Sequence, residues 1–227
     1  MAPDPHAVVL YRDLRLSPKR HSHGAPAPAI KPLCRSAEGC KASIGYGWSV
    51  KRRELEQTLR AAGRVAREVE FFLIGSQAVH AYCRRPPAEV LLSQECDLYP
   101  KNHPEAANLI DMELGRGSKF ARRHGFYADV VTPEIASLPS GWARRLKPLR
   151  VGRITAWCLD VHDLIASKLA AGRLKDLEFV GALLQMNMAD PGIVRRRIRQ
   201  FPVQQDRTRL RARLRAVLDD SRHGFRR

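Results

Sequence analysis

Three acidic residues occupy places where a chain normally buries apolar side chains. Glu95 and Asp97 close the apolar run in "EVLLSQECDLYP", one residue apart, and Asp129 sits among apolar neighbours in "FYADVV". If both stretches are strands, alternation points Glu95 and Asp97 to one face and Cys96 to the other. Two carboxylates that close raise each other's cost, which a divalent cation relieves. A solvated strand end would explain the pair without a metal, but Asp129 inside an apolar strand requires a partner. Upstream, "FFLIGSQAVHAY" passes from an apolar run through Gly75-Ser76 into a helical pattern. Glycine there lets a ligand approach the backbone, and a helix N-terminus offers free N–H groups to a phosphate. An ordinary turn with a Ser cap is the plainer alternative. Three strand-borne acids with a phosphate-binding turn describe a two-metal phosphoryl-transfer site.

The elements that must position these residues alternate from Val69 onward. "VEFFLIG" reads as strand, Ser76 to Cys83 as helix, "EVLLSQECDLY" as strand, "HPEAANLIDMEL" as helix and "GFYADVV" as strand; "RLKPLRV" and "RITAWCL" make a strand pair. Ahead of them "SVKRRELEQTLRAAGRVARE" predicts a helix with Ser49 as N-cap and an apolar stripe of Leu55, Leu59, Ala62, Val65 and Ala66. Helices follow: "DVHDLIASKLAAGRLKDLEFVGALLQM", interrupted at Gly172, and "DPGIVRRRIRQF", which opens on Asp-Pro. The expected class is α/β, a mixed sheet over residues 49–159 followed by a helical part over 160–227. Residues 1–48, rich in Pro, Ala, His and Ser, hold no period and are expected to be disordered and dispensable. Cys34 and Cys40 with His21 and His23 lack usual metal spacing. All five cysteines read as reduced thiols, with Cys83, Cys96 and Cys158 in the core.

No apolar run approaches the roughly 20 residues of a membrane span and no signal-peptide core opens the chain, so a soluble, cytoplasmic protein without a membrane partner is expected. The net charge of +17 is uneven: residues 195–227 carry 12 Arg against three acids, in "RRRIRQ" and "RTRLRARLRAVL". This Arg-studded amphipathic helix suits a polyanion such as RNA, though arginine on a solvated helix face would look the same.

The order apolar-Gly-Ser, helix, acid-x-acid strand and single-acid strand resembles the nucleotidyltransferase fold of polymerase-beta-type enzymes. "LDVHDLIASKLAAGRLKDLEFV" is similar to a segment of the AbiEii-type nucleotidyltransferase toxins and related bacterial proteins, in which a helix lysine precedes a basic-Asp pair. The resemblance covers about Lys51 to Met186. It implies that Gly75 and Ser76 bind the triphosphate, that Glu95, Asp97 and Asp129 hold Mg²⁺, and that Lys168 meets the nucleotide phosphates. Arg173, Lys175 and Asp176 match the charged end of the motif, where Asp176 orients Lys168 or assists the acceptor. Read without the resemblance, Lys168 and Asp176 stand eight apart, about two helical turns, as an exposed face with an internal salt link would. Glu95 replaces the usual Asp, and the gap from Ser76 to Glu95 is long for the smallest members.

Two functions follow from different classes. One is an enzyme that moves a nucleoside monophosphate from an NTP to an RNA, tRNA included, or to a protein acceptor, as the toxin of a toxin–antitoxin pair with an antitoxin partner. The other is a non-catalytic Arg-rich nucleic-acid-binding protein on a degenerate nucleotidyltransferase fold. Near the motifs, His80 is placed either toward the pocket or at the surface, Asp163 as a first-turn acid complementing its helix dipole, and Trp142 and Trp157 between sheet and helices.

Overall fold

The computed structural model describes residues 50–91 and 93–223, with side chains through Asp220. The expectations for residues 1–48 and the Ser49 cap lie outside the described residues. Helix α1 (Arg52–Ala66) is capped at its far end by Arg67, whose left-handed backbone returns its N–H to Gly63. Its stripe is apolar as the spacing required: Leu55, Leu59 and Ala62 are fully buried. Each such leucine contributes about 1.5–3 kcal/mol of burial.

Five strands form one mixed sheet: β1 (Glu70–Leu73), β2 (Glu95–Pro100), β3 (Tyr127–Val130), β4 (Lys147–Val151) and β5 (Ile154–Cys158), in the order β3-β2-β1-β5-β4. β1 runs antiparallel to β2 and parallel to β5, while β2 and β3 run parallel. β4 and β5 form the expected antiparallel pair. The sequence between β1 and β2 departs from expectation. Ser76–Ala81 is a 3-10 helix. The long predicted strand keeps only its second half, because its first residues follow Pro86-Pro87 and turn as a short 3-10 helix, Ala88–Val90. Proline fixes φ and withholds the N–H that a ladder would need.

Beyond β2, a 3-10 turn leads into α2 (Ala107–Leu114), and a short helix α3 (Lys119–His124) precedes β3. Helix α4 (Val161–Ala171) ends at Gly172 in the left-handed region, and α5 (Leu174–Gln185) starts anew. α6 (Pro191–Ile198) and α7 (Gln204–His223) complete the helical part. α7 is not an appendage, since Leu210 and Leu214 are buried in the common core. No helix among the described residues is long and apolar enough to cross a membrane.

Candidate active site

On β2 the burial alternates as the pattern demanded, with Cys96 and Leu98 fully buried on one face and Glu95 and Asp97 turned to the other. The parallel ladder sets Asp97 beside Asp129 and Glu95 beside Tyr127. Strand pairing thus brings the three acids to one face from two separate stretches. The β1–β2 ladder ends as Ile74 N–H donates to the Asp97 carbonyl over 3.0 Å, which lays Gly75 directly on the Asp97 side chain. A Cβ at Gly75 would fall 1.4 Å from Asp97 Oδ2 and 2.6 Å from Asp97 Cβ. The backbone of Gly75 is ordinary extended chain (φ −89°), so glycine is required by space and not by torsion.

Burial is the largest influence on Asp97 and pushes its carboxyl up to about 6; Lys168 opposes the rise, while Glu95 and Asp129 add to it. Asp129 is raised for the same reasons, burial first and Glu95 next. Glu95 goes the other way: burial would raise it, but the Lys175 ammonium and a hydrogen bond from Tyr127 outweigh that and hold it low. Lys175 Nζ lies 3.4 Å from Glu95 Oε1, and Tyr127 OH donates to Oε2 over 3.2 Å.

The helical part supplies further residues lining the same cleft. Gly172 folds the chain back, so Lys168 in the last turn of α4 meets Asp176 in the first turn of α5, Nζ to Oδ1 3.1 Å. The salt link foreseen along one exposed helix is therefore made between two helices, and Asp176 is 1% exposed. Arg173 Nε grips the other oxygen at 2.6 Å. The turn is itself held from behind: Arg213 of α7 donates to the Leu169 and Ala170 carbonyls over 2.6 and 3.0 Å.

These residues line an open cleft of about 650 Å³ that includes Gly75, Glu95, Asp97, Asp129, Lys168, Arg173 and Lys175. Ser76 is buried and is not among the lining residues. His80 is buried too, with Nε2 3.5 Å from the Val50 carbonyl; it faces neither cleft nor solvent. Asp163 is in the first turn of α4 but fully buried, where Arg145 forks onto it at 2.7 and 3.1 Å and Arg197 at 3.0 Å. Its work is cross-linking, not answering a dipole in water. Trp142 packs edge-on to Phe72, and Trp157 donates to Glu70. Sequence reasoning missed Arg116 and Tyr127. Arg116 lines the cleft, donates to Tyr127 OH over 2.9 Å, and so extends the hydrogen-bonded chain from Glu95. Its only signal was an arginine between two glycines in "LGRGS".

Among the described residues no three His, Cys, Asp or Glu side chains close into a metal cage by themselves. Mg²⁺ does not ask for one, since it commonly takes one or two carboxylates and completes its shell with water and substrate phosphates. Asp97 and Asp129, both held above their ordinary pKa beside Glu95, form a donor set that fits an ion shared with a bound phosphate. Arg116, Lys168, Arg173 and Lys175 line the same cleft and give it four cationic side chains.

Residues 54–215 match the model of a family described as "Nucleotidyltransferase of unknown function (DUF6036)". No curated protein and no solved structure matches the chain. The matched span runs from the first turn of α1 into α7 and contains every residue of the cleft.

Proposed function

This chain belongs to that nucleotidyltransferase family, and on that premise we propose that its cleft moves a nucleoside monophosphate from an NTP to a hydroxyl of an RNA or protein acceptor. The observation that carries the reading is the placement of Asp97 beside Asp129, against a glycine with no room for a Cβ, in a cleft that Lys168 also lines. In the reaction the acceptor oxygen bonds to the α-phosphorus, the bond to pyrophosphate breaks, and the hydroxyl proton passes to solvent water. Lys168, Arg173, Lys175 and Arg116 orient the triphosphate and offset charge gathering on the leaving pyrophosphate. Asp176 holds the Lys168 ammonium in place at 3.1 Å. Glu95, Asp97 and Asp129 would hold Mg²⁺, which when bound supplies Lewis-acid polarisation of the phosphate. A toxin role opposed by an antitoxin, as in the AbiEii-type enzymes that the Lys168–Asp176 segment resembles, belongs to the same reading.

The test is label transfer. Purified protein with Mg²⁺, each α-labelled NTP in turn, and either total RNA or total protein should label one acceptor class, and Asp97→Asn should abolish the signal. Absence of transfer from all four NTPs to both acceptor classes by the wild-type protein refutes the catalytic reading and leaves a non-catalytic nucleotidyltransferase fold.

A further inference from the structure

The arginines of the C-terminal part divide by what they touch. Arg197 pairs with Asp163, Arg207 donates to the Phe201 carbonyl, Arg209 pairs with Asp206, and Arg213 caps α4. These four have structural partners. Arg195, Arg199, Arg211 and Arg215 make no side-chain hydrogen bond or salt bridge among the described residues, and all four are exposed. They are not scattered. Together with Leu214, Leu218 and Asp219 they line one groove of about 460 Å³ between α6 and α7.

Arg195 of α6 and Arg199, the residue capping its C-terminus, are four residues apart, as are Arg211 and Arg215 of α7, one turn or ~6 Å along each axis. Gathering four guanidinium groups in one groove whose lining holds a single acid, Asp219, is unfavourable. Arg196, also exposed, lies outside this lining. Convergence with a spacing close to that of successive phosphates fits a chain of regularly spaced anions, met by planar forks suited to phosphate.

We infer that the α6–α7 groove binds the sugar-phosphate backbone of a polynucleotide, and that this polynucleotide is the acceptor. Only the second clause rests on the nucleotidyl-transfer reading. The groove and cleft are mechanically joined, because α7 also carries Arg213, which holds the turn beyond Lys168. A strand lying in the groove is therefore referenced to the same helix that positions the cleft lysine. The single proposed contact set is phosphate, so the binding is expected to be independent of sequence.

The experiment uses the full chain and a fluorescent 20-nucleotide single-stranded RNA of mixed sequence, titrated at 50 and 200 mM salt. The variant R195Q/R199Q/R211Q/R215Q is compared with R144Q/K147Q/R150Q/R153Q, which removes the same charge from exposed positions around β4 and β5. Loss of four phosphate contacts should flatten the log–log salt slope by about 3, so the wild type should lose about 50-fold more affinity than the groove variant across that salt range. The β4–β5 variant should keep most of the wild-type slope. NTP binding, followed in the absence of RNA, should be unchanged in the groove variant, which separates failure of the groove from failure of the cleft. Equal losses in both quadruple variants would show that only net charge matters and overturn the proposal. So would wild-type affinity in the groove variant, or displacement of the RNA by anionic phosphatidylserine vesicles at lower charge concentration than by unlabelled RNA.

Discussion

Replacing Asp97 by Asn should stabilise the metal-free protein, in a pH-dependent way that the cleft dictates. The Asp97 carboxyl titrates at 3.8 in an ordinary setting and is pushed up to about 6 here, by burial first and by Glu95 and Asp129 in addition. Between those two values the folded state binds the extra proton, so wild-type stability falls as pH rises through the window and stays lower above it. A rise from 3.8 to about 6 corresponds to ~3 kcal/mol. Asn is neutral in both states and carries no such penalty. Near pH 8 Asp97→Asn should therefore melt higher by about 6–12 °C for a chain of this size, and below pH 4 the two proteins should melt together. Thermal melts at several pH values in EDTA read this directly. Mg²⁺ should then raise the wild-type midpoint by mass action, more at pH 8 than at pH 5.5 where the proton competes, and should leave Asp97→Asn unmoved. A variant that melts at or below wild type at pH 8, or responds equally to Mg²⁺, would refute the assignment of Asp97 as a strained carboxylate awaiting a cation.

Three further outcomes follow from the same geometry. Gly75→Ala forces Asp97 away from its place, so label transfer should drop by ~100-fold or more and the Mg²⁺-dependent midpoint shift should shrink. Asp176→Asn leaves Lys168 without its buried counter-charge; denaturant unfolding should show a loss of ~3 kcal/mol, and the NTP concentration at half-maximal transfer should rise. Burial raises the Asp163 carboxyl in spite of Arg145 and Arg197, but both arginines keep their charge when it is neutralised, so Asp163→Asn should cost about 1–3 kcal/mol in the same assay, less than a well-paired buried acid, while NTP binding by the folded fraction holds.

The sequence made the acids legible because strand alternation is local: Glu95 and Asp97 share a face whatever the rest of the chain does. The ladder that puts Asp129 beside Asp97 is not local, and apolar surroundings could signal only that Asp129 needed a partner. The break at Gly172 was readable, but its consequence, Lys168 and Asp176 meeting across two helices, depends on how α4 and α5 pack. α3 was overlooked although "SKFARRHG" carries both of its signals: Ser118 accepts from Ala121 N–H at the N-cap, and Gly125 closes the helix with φ of 76°. His80 was misjudged because nothing in its neighbours tells that Val50 and α1 will cover it. Burial holds its imidazole down to about 4, neutral at physiological pH.

The grip of Arg213 on the last carbonyls of α4 ties the order of the cleft to the far end of the chain. Gly172 can close α4 in the left-handed region with Arg213 against it because there is no Cβ; one would lie 2.1 Å from the guanidinium carbon. Fraying of α7 would release two carbonyls, uncover Leu210 and Leu214, and free the turn that presents Lys168 in one event. α4, α5 and α7 should then behave as one cooperative opening unit in native-state hydrogen exchange, with amides of the Lys168 turn protected only as long as those of α7. A protease that nicks α7 would in that case silence the cleft without touching any residue in it.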